Sequence, residues 1–75
     1  MRLPNKLYRY NESVFVDMIK ILSTIKHPIG VYDLYKKVKN QIGGIDRYVE
    51  ALDGLFMLNK ITFDKEVGII DVVRN

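Results

Sequence analysis

Seventy-five residues and 8.8 kDa accommodate one small domain, and a chain this short buries only about 60% of its unfolded surface, so its stability is expected to be marginal. Cysteine is absent and there is a single histidine, which excludes a disulfide framework, a thiolate zinc site and a cysteine nucleophile. Twelve Lys+Arg against nine Asp+Glu leave a net charge of +3, a milder excess than dedicated nucleic-acid binders concentrate on one face. No uncharged run exceeds roughly six residues, against about 20 needed to span a bilayer. The segment Met1–Lys6 also lacks the apolar core of a signal peptide, so a cytoplasmic protein that makes no membrane contact is expected.

Residues 1–10 have no helical period, and Pro4 biases them toward extended structure. Leu3, Leu7, Tyr8 and Tyr10 make this arm apolar, so it is expected to pack on its own domain or on a partner. The remaining residues, 11–75, read as one domain. Asn11 is a suitable N-cap, because its side-chain oxygen can accept from the free amides of a first turn. Val14, Phe15, Met18, Leu22 and Ile25 then recur at helical spacing, with Asp17, Lys20, Ser23 and Thr24 opposite. Pro28 forbids continuation, which ends the first helix near Lys26 and leaves His27 in the turn.

Gly30 opens a second helix, with Val31, Leu34, Tyr35, Val38 and Ile42 inward and Asp33, Lys36, Lys37, Lys39 and Asn40 outward. Gly43-Gly44 marks a turn. A third helix follows, its apolar stripe read as Ile45, Val49, Leu52, Leu55 and Phe56. Facing that stripe inward leaves Asp46, Arg47, Glu50, Asp53, Gly54 and Met57 outward. From Lys60 to Asp64 the period changes to the alternation of a half-buried strand, Lys65–Gly68 reads as a turn, and β-branched Ile69–Val73 supplies a returning strand.

Three helices followed by a two-stranded hairpin, behind an extended arm, is the order of a winged helix-turn-helix, an α+β fold that is mainly α. A winged helix that reads DNA presents Arg, Lys, Asn or Gln from its third helix to base edges. Here that face carries three acids and one base, which phosphates would repel, while Gly54 and Met57 add a soft apolar spot suited to protein contact. The best electropositive feature is instead Lys36, Lys37 and Lys39 on the second helix. No glycine-rich phosphate cradle, acid pair at ligand spacing or base beside Ser13 or Ser23 supports catalysis, so no enzyme activity, metal or cofactor is expected.

Three stretches carry a family likeness: Leu3–Ser13 (LPNKLYRYNES), Leu34–Val38 (LYKKV) and Tyr48–Ile61 (YVEALDGLFMLNKI). Through them the chain resembles the small middle components of bacterial ABC-ATPase three-component systems, most closely the group numbered six. The resemblance implies a non-catalytic adaptor that couples an SMC- or Rad50-like ABC ATPase to an effector in defence against phages or other invading DNA. Leu7, Tyr8, Tyr10, Arg47, Glu50, Asp53 and Met57 are then the candidate protein interface. The alternative is a DNA-binding regulator or DNA-contacting subunit using Lys36, Lys37, Lys39, Arg47 and Lys65, with nucleic acid also reachable through the complex. A homodimer is a third expectation.

Overall fold

The computed structural model describes residues 12–74, so the arm, with Leu7, Tyr8 and Tyr10, and the cap residue Asn11 lie outside the described residues. Helix α1 spans Glu12–Thr24. A two-residue strand, β1 (Ile29–Gly30), leads directly into α2 (Val31–Val38). Helix α3 spans Ile45–Met57, and the hairpin strands are β2 (Ile61–Asp64) and β3 (Ile69–Val72). The protein is thus mainly helical with a small antiparallel sheet, as the α+β reading expected.

The sheet has three strands rather than two, in the order β1-β3-β2. Ile29 pairs with Ile70 and Gly30 with Ile69, while β2 runs from Ile61 opposite Val72 to Asp64 opposite Ile69. Two residues are too short for an alternating pattern to register in the sequence, which is why β1 escaped notice. The Gly68 carbonyl accepts from the Val31 amide at 2.8 Å, so the hairpin turn satisfies one of the free donors that open α2. Gly68 itself sits at φ 69, a left-handed conformation that a side chain would strain.

Both first helices end earlier than their apolar spacing suggests. In the last turn of α1, Ser23 Oγ donates to the Ile19 carbonyl and Thr24 Oγ1 to the Lys20 carbonyl at 2.7 Å. Such back-bonding weakens the continuing ladder, and the helix stops at Thr24, two residues short of Lys26. Helix α2 stops at Val38, leaving Ile42 half-buried in the connection to α3. Helix α3 ends in a Schellman closure: Lys60 N–H donates to the Leu55 carbonyl at 2.9 Å and Asn59 N–H to the Phe56 carbonyl at 3.0 Å, with Asn59 at φ 60.

The core joins Val14, Met18, Ile21 and Ile25 of α1 and its end, Leu34 and Val38 of α2, Tyr48, Ala51 and Leu55 of α3, and Ile61 and Ile70 of the sheet. Ile21, fully buried, was not on the expected stripe of α1, whereas Phe15 and Leu22 flank the core half-buried. Two further expectations are overturned. Asp17, assigned to the solvent side of α1, is 4% exposed. Gly54, assigned to the outer side of α3, is buried, and the inward stripe of α3 is Tyr48, Ala51, Gly54 and Leu55.

Candidate functional site

Helix α3 carries two apolar stripes, and the fold buries the smaller-residue one. Ala51 and Gly54 are buried on this face, and Tyr48 fixes the rotation of the helix. Its ring lies 4.9 Å from that of Tyr35, tilted by 50°, and its hydroxyl donates to the Val31 carbonyl. Burial pushes the Tyr48 phenol well above its ordinary range, so it remains a neutral donor. With that face inward, the second stripe is left outside. Ile45, Val49 and Phe56 are all more than half exposed, and Leu52 between them is half-buried. Four of the five residues expected to face the core therefore make up, wholly or in part, the outer surface.

Val49, Leu52 and Phe56 of the stripe form one wall of an open groove of about 330 Å³ whose other wall is the hairpin, and Ile45 lies outside its lining. Val49, Leu52 and Phe56 face Ile61, Phe63 and Ile70 across it, with Val31 also in the lining. Asp53 is the single charged group among the lining residues. A small-molecule site usually has several converging polar groups to fix a ligand's orientation, and this groove does not. Its chemistry suits a side chain or row of side chains from another protein.

Along one flank of the stripe run Asp46, Glu50 and Asp53, all exposed and none in an ion pair among the described residues. Met57, 49% exposed, lies beside Phe56 one turn beyond Asp53 and adds apolar surface on that flank. The exposed candidates Glu50, Asp53 and Met57 are therefore together on α3. Arg47 is not with them. It turns toward α1, where Nη2 lies 2.7 Å from Asp17 Oδ2. Oδ2 receives no well-directed hydrogen bond among the described residues, so the attraction is Coulombic and ties α3 to α1. Beside it, Lys20 Nζ donates to the Gln41 carbonyl at 3.0 Å, pinning the α2–α3 connection to the same helix.

The basic candidates sit elsewhere. Lys36, Lys37 and Lys39 are exposed on α2 and its C-terminal cap, and Lys65 is on the hairpin turn. Lys36 is 3.3 Å from Asp33 Oδ1 and lies 5.0 Å over the Tyr32 ring, so one of the three lysines already has local partners. His27 stays in the turn, with Nδ1 3.0 Å from the Pro28 carbonyl oxygen. Among the described residues no cluster of His, Asp and Glu could hold a metal ion, and no helix is long and apolar enough to cross a membrane.

Neither a curated protein nor a solved structure matches the chain. A family model does, over residues 3–70, and its description is ABC-three component (ABC-3C) system Middle Component 7. The matched group carries the number seven, where the likeness of the arm and third helix had pointed to six. The match begins at Leu3 and so takes in the arm as well as all three helices and the start of β3. An α+β core with its acids and apolar residues side by side on α3 thus sits within a chain that belongs to the Middle Component 7 family of ABC-three component systems.

Proposed function

We propose that this middle component is a non-catalytic adaptor of winged-helix type. It couples an SMC- or Rad50-like ABC ATPase to an effector through protein–protein contacts, in the cytoplasm, as part of a prokaryotic system directed against phages or other invading DNA. The order helix, strand, helix, helix, strand, strand with sheet order β1-β3-β2 supports the winged-helix assignment. The observation that carries the adaptor reading is the outer face of α3. Where a DNA-reading winged helix needs cations at the groove, this one presents an apolar stripe flanked by Asp46, Glu50 and Asp53.

The test is copurification of the tagged chain with the ABC ATPase encoded beside it, with nuclease added to half of the sample. An adaptor retains the ATPase in both halves. Recovery that requires intact nucleic acid would transfer the role to Lys36, Lys37, Lys39 and Lys65. Affinity for DNA would then fall by about 0.9 log units per tenfold rise in salt for each phosphate neutralised.

A further inference from the structure

We infer that the groove between α3 and the hairpin receives an amphipathic helix of a partner subunit, one flank of which is rich in Lys and Arg. This inference rests on the adaptor reading and specifies where that adaptor grips its partner and by what chemistry.

Ile45, Val49, Leu52 and Phe56 recur at i, i+4, i+7 and i+11, the spacing of a helix seam. Val49, Leu52 and Phe56 line the groove over about 10 Å of α3 at 1.5 Å per residue, which matches two turns of a partner helix, and Ile45 continues the seam beyond it. Large apolar side chains held at that spacing on a solvent face are the lining that helix-in-groove recognition uses, with partner anchors at i, i+3 or i+4 and i+7. Phe63 on the opposite wall, 46% exposed, is placed to close over such a helix from the hairpin side. Contiguous exposed apolar surface of this kind marks an interaction site.

Charge selects among the occupants. Each acid follows a member of the stripe by one residue, Asp46 after Ile45, Glu50 after Val49 and Asp53 after Leu52, so the acids form a ridge along one edge of the seam. The nearest cation in sequence, Arg47, is held by Asp17 and does not neutralise the ridge. A second copy of this chain docking with its α3 antiparallel across a twofold axis would bring acidic ridge toward acidic ridge, a parallel pair would leave both ridges without cations, and a nucleic acid would bring phosphates. A helix with apolar anchors and a flank of Lys and Arg satisfies both the seam and the ridge, and complementary charges of this sort fix orientation as well as register.

The full chain, coexpressed with the ABC ATPase and the effector encoded beside it, provides the test. Phe56→Ser and Val49→Ser each remove an exposed anchor and leave the core of the domain intact. Each should weaken capture of the partner subunit by about tenfold or more while the thermal midpoint of the isolated chain stays within a few degrees. Glu50→Lys, which leaves the ridge only Asp46 and Asp53 against the new cation, should weaken capture by a similar factor and reduce its dependence on salt. Lys36→Glu, on α2, should leave capture unchanged. Hydrogen exchange on the complex should protect one partner segment, apolar at helical spacing and with more Lys and Arg than Asp and Glu. If the partner is captured but Phe56→Ser, Val49→Ser and Glu50→Lys bind as the parent chain does, the groove is not the grip and only this inference falls. A protected partner segment that is acidic or extended also overturns it. A dimer that Phe56→Ser converts to monomer, with capture unchanged, assigns the groove to a second copy instead. If the parent chain captures neither subunit, the adaptor reading falls with it.

Discussion

Arg47 was expected on the outer face of α3 and is instead committed to Asp17, so replacing it should be felt as a loss of stability. Asp17 is buried and its carboxylate has lost most of its water, while the Arg47 side chain keeps 36% exposure. Removing one partner of a fully buried pair costs about 3–5 kcal/mol, because the other charge is left stranded. Water can enter beside Asp17 once the partly exposed Arg47 side chain is gone, so Arg47→Ala is expected to cost about 2–3 kcal/mol. A domain of this size holds only about 4–11 kcal/mol in total at 0.05–0.15 kcal/mol per residue. In urea, with a slope near about 1 kcal/mol/M, that loss moves the unfolding midpoint down by about 2–3 M. Far-UV circular dichroism on Asp17→Ala, Arg47→Ala and the double variant gives the coupling energy, expected at about 1.5 kcal/mol or more. The paired replacement Asp17→Leu with Arg47→Met should be neutral or stabilising, since it removes both desolvation costs together. If Arg47→Ala costs less than about 0.5 kcal/mol and the coupling lies within the additivity error of about 0.5 kcal/mol, the pair is effectively solvated and does not join α1 to α3.

Three other outcomes are expected. Tyr48→Phe removes the hydroxyl that donates to the Val31 carbonyl and should cost about 1 kcal/mol, a fall of about 4–8 °C in Tm for a domain this small; an unchanged Tm would mean that water replaces the bond without loss. At Asn59, held at φ 60, Asn59→Gly should stabilise by up to about 1 kcal/mol and Asn59→Val should destabilise by about 1–2 kcal/mol; denaturant midpoints for the two moving in the same direction would refute the left-handed closure of α3. The Arg74 hydrogen bond, opposed by desolvation and helped by the Val72 amide, holds the Asp71 carboxyl below its ordinary 3.8. Because the folded value is the lower one, the contribution of Asp71 to stability is complete above 3.8 and disappears as pH falls through the folded value. A carboxyl-carbon NMR titration reads that midpoint directly, and Arg74→Ala should raise it.

The three helices and the hairpin were legible from local signals, because each is specified by its own residues, whereas the two-residue β1 exists only by pairing with β3. Pro28 and Gly43-Gly44 separate the helices, the change from helical to alternating period at Lys60 starts the hairpin, and Leu34 and Val38 of α2 are buried as their spacing requires. Membership among the middle components of ABC-three component systems was legible too, although the matching group is seven and not six. Tertiary structure decided which side of each helix is inside. In α3, Ile45, Val49, Leu52 and Phe56 are more apolar than Tyr48, Ala51 and Gly54, so hydropathy alone turns the helix the wrong way. A tyrosine with a reachable carbonyl satisfies its polar tip, and that depends on where α2 places Val31 and has no signature in the sequence of α3 itself. Asp17 and Arg47, 30 positions apart in the chain, follow the same logic, since each looks like a solvated charge until the other is beside it. The rotation that buries Tyr48 is also what exposes the apolar stripe beside its acidic ridge, so the candidate docking surface exists as a consequence of packing and could not be read from α3 alone.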